Sequence, residues 1–149
     1  MPRPRRSSSK EPTDGRVVGL GGVFLRVSNV GSLSEWYSKH LGIKIGDNIA
    51  LFGWESPKSE KTKGVTVWAL FPKDSDYFPE GRQFMINYRV RNLAKVLRAL
   101  RKEGVQVDEK VEKSKYGKFG WVHDPDGNKI ELWEPPPKRA FSKNETLME

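Results

Sequence analysis

The chain has no cysteine, so it has neither a disulfide framework nor a thiolate metal site. Its two histidines are His40 and His123. No apolar run approaches the roughly 20 residues that a bilayer-spanning helix needs. The start, MPRPRRSSSK, carries charge but lacks the apolar core of a secretory signal. From these absences no membrane partner is expected, and the cytoplasm is the expected location. What is present points to a folded domain: 149 residues, 36% hydrophobic, with five Trp and seven Phe, are enough to bury a real core.

The formal charge of +8 raises the question of nucleic acid. Its distribution weakens that reading. Residues 1–15 hold Arg3, Arg5, Arg6 and Lys10 against Glu11 and Asp14, which is 4 − 2 = +2. The remaining bases are interleaved with acids, as in KEGVQVDEKVEKSKYGK, and no helix carries a basic stripe. Nucleic acid is therefore not the expected partner.

Pattern divides the chain into a disordered basic tail over 1–16, a domain over 17–135 and a flexible tail over 136–149. The stretch VVGLGGVFLRVSN alternates as a strand, with Gly22, Phe24 and Arg26 on one face. Ser32 and Glu35 form a capping box for a helix through LSEWYSKHLG, which Gly42 ends. IKIG, IALFGW and GVTVWALF read as three strands, with the charged ESPKSEKTK as a loop between the last two. The connector FPKDSDYFPEGR carries Tyr77 and Phe78, and its length suits a lid or pocket rim.

The pattern then starts again. FMINYRV is a strand with Met85, Asn87 and Arg89 on one face, and Asn92 caps the helix LAKVLRALRKEG. Three strands follow, VQVDEKV, KYGKFGWVHD and NKIELWE. The last two are joined by DPDGN, where Pro125 fixes φ and Gly127 tolerates a positive φ. Lys129, Glu131 and Trp133 share one face of the final strand. Taken alone, that strand makes Glu131 a solvated residue. The copies keep register: Val27 and Val90 are 90 − 27 = 63 apart, and Gly42 and Gly104 are 104 − 42 = 62 apart.

A βαβββ unit written twice, WYSKHLG at the first helix and DPDGNKIEL closing the second unit resemble the vicinal oxygen chelate superfamily. That group includes glyoxalase I, bleomycin resistance proteins, fosfomycin resistance enzymes and extradiol dioxygenases. The resemblance covers about residues 17–135. It implies an α+β fold in which two βαβββ modules, about 17–75 and 82–135, form a curved mixed sheet cup with helices on the convex side. Metal-using members place four ligands on the concave face. Their positions here hold Gly22, Val67 or Trp68, Met85 and Glu131, so only Glu131 is a hard donor.

A catalytic divalent metal needs about three protein ligands. The expectation is therefore no metal and no cofactor, with a divalent metal as the alternative and His123 as a substitute ligand. His40 belongs to the helix side. The expected ligand-binding set is Phe24, Arg26, Trp68, Met85, Asn87, Arg89, Phe119, Trp121, Lys129 and Trp133. In fosfomycin resistance enzymes an aromatic ten residues before the matching Glu faces the cavity, which here is Trp121. Arg26 and Arg89 would grip an anionic or carbonyl-rich ligand. The structural alternative lets the aromatics fill the interior while both arginines pair with Glu131. If Glu131 acts catalytically, its family position implies proton abstraction beside a carbonyl.

Three functions remain open. The first expectation is a metal-free small-molecule-binding protein of the glyoxalase and bleomycin resistance type, assembled as a homodimer. The alternatives are a glyoxalase- or dioxygenase-type enzyme with a rebuilt site, and an interaction module on the same fold.

Overall fold

Two alternating segments build the middle of the sheet. β1 (Val17–Val27) and β4 (Phe84–Val90) pair antiparallel, with Gly22 opposite Asn87 and Phe24 opposite Met85. The computed structural model describes residues 16–56 and 59–137, without the side chains of 56 and 59–62. The two expected tails lie outside these residues except for Arg16, Pro136 and Pro137. Arg16 is not loose: its guanidinium is bound by both carboxylate oxygens of Glu103, at 3.2 and 2.9 Å.

Outward from β1 come β3 (Ser59–Pro72), parallel to it, and then β2 (Ile49–Ser56), antiparallel to β3. Outward from β4 come β7 (Lys129–Glu134), parallel to it, then β6 (Gly117–His123) and β5 (Gln106–Ser114). The order is β2-β3-β1-β4-β7-β6-β5, one mixed sheet of seven strands among the described residues. The fold is the expected α+β arrangement.

Three local expectations are corrected. IKIG is not a strand. Gly46 makes only an isolated bridge with Ile49 around a two-residue turn, where Asp47 and Asn48 take φ of 53° and 66°. That turn closes locally, but the preceding residues leave β2 and form no ladder with it. The charged ESPKSEKTK is not all loop, because β2 and β3 continue into it with Glu55 opposite Lys63. Backbone pairing tolerates charge on side chains that point to water. Finally, Asn29 rather than Ser32 caps α1 (Val30–Leu41), its Oδ1 accepting from the Ser32 N–H at 2.9 Å. Asn92 caps α2 (Leu93–Lys102) in the same way. The caps are 92 − 29 = 63 residues apart, in the register of the repeat.

The helices lie on the convex face. Leu93, Val96 and Leu97 of α2 pack with Val90, Val122 and Leu132 into one core cluster. Gly120 makes this approach possible, since a β-carbon there would lie 3.0 Å from the Leu97 side chain. Helix α1 is held less firmly. It buries no residue, and its main ring contact is Tyr37 edge-on to Trp68 of β3, with centroids 5.0 Å apart. No helix among the described residues is long and apolar enough to cross a membrane.

Candidate functional site

Strand register sets the concave face. One row of aligned residues crosses five strands as Val67, Gly22, Asn87, Glu131 and Trp121. The row beside it carries Ala69, Phe24 and Met85. Arg89, Trp133 and Phe119 form another row, and His123 lies opposite Lys129. Trp68 does not join them. It is out of phase with Val67 and Ala69 and faces Tyr37 on the helix side, which corrects its expected place in the cup.

Glu131 is the polar centre. It is only 4% exposed, so the solvated reading that its own strand suggested is wrong. One carboxylate oxygen accepts from Asn87 Nδ2 at 2.6 Å, and the other accepts from the Tyr77 hydroxyl. Trp121 Nε1 donates to the Tyr77 oxygen at 2.9 Å, extending the chain to a third side chain. Burial pushes the Glu131 carboxyl above its ordinary range, and the hydrogen bonds from Tyr77 and Asn87 pull against that shift. Burial, then the Glu131 charge, raises the Tyr77 phenol, which stays protonated and donating. Asn87 is 2% exposed, and its Oδ1 has no partner among the described residues. A buried acceptor of this kind costs free energy until something donates to it.

Tyr77 belongs to the connector at 73–83, which folds into the cup. Phe78 and Tyr77 pack with Phe24, Ala69, Met85 and Phe71, and the Tyr77 ring stacks on Phe71 at 5.6 Å. Arg26 holds the connector in place. Its guanidinium donates to the carbonyls of Ser75, Pro79 and Arg82 at 3.0, 3.4 and 2.6 Å, and lies over the Phe78 ring. Arg26 is thus already engaged, and it does not pair with Glu131. Arg89 is elsewhere too, over the Trp54 ring at 5.7 Å, with burial lowering its pKa. The structural alternative, a network between both arginines and Glu131, is absent among the described residues. Tyr77, Asn87 and Trp121 take that place.

The rim is built from β5, β6 and β7. Lys129 Nζ lies 5.5 Å from the Tyr77 ring centre and 5.7 Å from that of Trp121. His123 Nε2 is 2.9 Å from Asp108 Oδ1. Phe119 stacks on Trp133, and the Trp133 indole donates to the Tyr116 carbonyl at 2.8 Å. The connector bearing Tyr77 was expected as a lid or pocket rim, but the contact of Tyr77 with Glu131 and the place of Asp108 beside His123 were not named. Strand alternation gives a phase to strand residues, but it gives none to a connector and does not reveal the β5–β6 register.

The sequence matches the profile of the Glyoxalase/Bleomycin resistance protein/Dioxygenase superfamily over residues 19–132. The chain belongs to that superfamily. Among curated proteins, none matches. Among solved structures, it is similar to methylmalonyl-CoA epimerase from Mycobacterium tuberculosis, at 27% identity and TM-score 0.57, covering 89% of this chain and 97% of that one. A variant of the Streptomyces coelicolor methylmalonyl-CoA epimerase in complex with 2-nitronate-propionyl-CoA aligns at 14% identity and TM-score 0.59, covering 80% and 98%. A hypothetical protein from Bacillus halodurans aligns at 17% and 0.55, covering 78% and 94%. The last two likenesses concern the fold alone.

The metal used by many members of the superfamily does not fit these residues. A β-carbon at Gly22 would lie 2.8 Å from the Phe24 ring and 3.0 Å from the Val67 carbonyl, so the ring takes up the room of a ligand side chain. Val67 and Met85 offer no hard donor, and both Glu131 oxygens already accept hydrogen bonds. No group of three or more His, Cys, Asp or Glu suited to a metal occurs among the described residues. An open depression of about 700 Å³ lies away from this site, between the end of α1, residues 42–46 and the start of β2. It is lined by glycines and aliphatic residues with Ser38, and it has no titratable side chain but Lys44.

Proposed function

We propose that the protein binds a small organic molecule in its cup without a divalent metal, and that the connector bearing Tyr77 moves to admit it. One observation carries this reading: a buried carboxylate whose partners are neutral donors, beside the unpartnered Asn87 Oδ1. Groups so placed suit a ligand that brings its own hydrogen-bond donors to an aromatic-walled site. Tyr77 then acts as a stand-in, its hydroxyl satisfying Glu131 until a ligand hydroxyl or N–H replaces it. The reading includes a homodimer and a cytoplasmic location. The unpaired outer edge of β2, with Phe52 exposed, supports the former.

Elemental analysis of protein purified without chelator is the first test, with divalent metal expected well below one per chain. Stoichiometric metal would overturn the reading and make Glu131 and His123 its suspected ligands. Proton transfer by Glu131 is a second reading, favoured by its raised pKa and by the similarity to methylmalonyl-CoA epimerase. Deuterium uptake by methylmalonyl-CoA in D₂O, lost on Glu131→Gln, would support it. No exchange above the uncatalysed rate would remove that substrate.

A further inference from the structure

Lys129 sits over two aromatic rings and forms no ion pair among the described residues, whose pairs involve Lys63, Lys110, Lys118, Arg16 and His123. An ammonium held on ring faces in a half-buried rim lacks a full counter-charge. His123 lies opposite it across β6 and β7, and Asp108 engages the Nε2 of that imidazole. Asp108 thereby orients the ring and leaves Nδ1 without a described partner. One of the two rings that Lys129 covers is Tyr77, whose hydroxyl meets Glu131.

We infer that Lys129, flanked by His123, binds the carboxylate of a small hydroxylated aromatic acid whose ring takes the place of Tyr77 against Trp121 and whose hydroxyl takes over its donation to Glu131. The inference rests on the binding reading above and names the ligand class. Its chemistry is one of exchange. The ligand's carboxylate gives Lys129 the counter-charge it lacks, and its ring replaces the phenol ring that it displaces. Carboxylates near the site are Glu131, Asp108 and Glu112. Asp108 is turned to His123 and Glu112 pairs with Lys110, so Lys129 remains for the ligand. Glu131 sits deeper, and its two oxygens accept from Asn87 and Tyr77, so it does not pair with Lys129 either.

The para-hydroxy derivatives of benzoate, benzamide and benzylammonium (called by the parent names below) share a ring hydroxyl that can donate to Glu131, and they serve as matched probes, titrated into the full chain while the Trp121 indole N–H is followed by NMR. Benzoate is expected to bind tightest and to weaken about tenfold or more on Lys129→Met, the order of one ion pair in a half-buried site. Lys129→Arg should restore most of that loss, which separates charge from folding. Benzamide binding should be indifferent to both substitutions. If benzamide or benzylammonium binds as well as benzoate, or Lys129→Met leaves benzoate unchanged, the anion assignment fails while the cup remains a binding site. If no probe shifts Trp121, the binding reading fails with it.

Discussion

The two halves of the sheet follow one pattern and put it to different uses. In the second half, α2 buries Leu93, Val96 and Leu97 against a continuous apolar face, and β7 brings Glu131 to the opposite face. In the first half, α1 buries nothing, Trp36 and Leu41 are 50% and 60% exposed, and the segment before β2 makes one bridge instead of a strand. What the first half contributes is a wall: Phe24, Ala69 and Phe71, against which the connector lays Tyr77 and Phe78. Strong packing and polar chemistry share one half, and the other supplies apolar surface and the segment that covers it. An element relieved of a core can diverge, because little packing energy depends on it.

The largest test of this contrast compares the two helices. Leu97→Ala should destabilise the protein by ~2–5 kcal/mol in urea unfolding, as expected for a well-packed core leucine. Leu41→Ala, on the exposed end of α1, should stay within ~0.5 kcal/mol. Equal losses would mean that α1 is covered by something which contributes to folding, and the contrast would collapse.

A middle-sized effect is expected at the joint between the halves. Arg26→Met removes a charged donor from three connector carbonyls and should cost ~1.5–3 kcal/mol locally. Hydrogen exchange of the connector amides at 74–83 should rise, while amides of β6 and α2 keep their protection. A uniform rise would show that the connector is part of the global fold rather than a cover over the site.

The smallest effect concerns Glu131 and pH. Burial raises this carboxyl above its ordinary value of 4.5, so the folded state holds the proton more tightly than the unfolded chain does. The stability linked to that proton is present below about 4.5 and is lost as pH rises towards the raised folded value. Glu131→Gln has no such titration. Its stability should therefore improve relative to wild type as pH rises from about 4.5 towards the raised folded value, as followed by thermal unfolding. Parallel curves would place Glu131 in a solvated environment and detach it from the Tyr77 and Asn87 cluster.

Much of the fold was legible in the chain because it rests on local rules. Alternation gave Phe24 and Arg26 one face of β1, and Met85, Asn87 and Arg89 the matching face of β4. The 63-residue spacing recurs in the caps Asn29 and Asn92. The DPDGN turn closes through its own atoms, with Asp124 accepting from the Asp126 and Asn128 backbones at 2.9 Å. These features need only neighbours in sequence or a periodic pattern. The site was legible in outline, since the superfamily position of Glu131 and the strand phase both put it on the concave face.

Its partners were not. Trp68 was misplaced because the superfamily position fell on either of two adjacent residues, and only the β1–β3 register puts Val67 on the cup face and Trp68 on the helix side. Arg26 turns from ligand to connector because the fold brings Ser75, Pro79 and Arg82 carbonyls within its reach. Tyr77 is 54 residues from the carboxylate it meets, and no local rule relates them. The sequence by itself determined the repeated unit and the strand faces, and it put residues without a hard donor, Gly22, Val67 or Trp68, and Met85, at three positions that the resemblance makes ligands. Only the tertiary structure decided that Glu131 is buried, that Tyr77 satisfies it and that Lys129 has no paired carboxylate among the described residues. Those outcomes depend on contacts between distant elements, and a linear pattern does not encode their register.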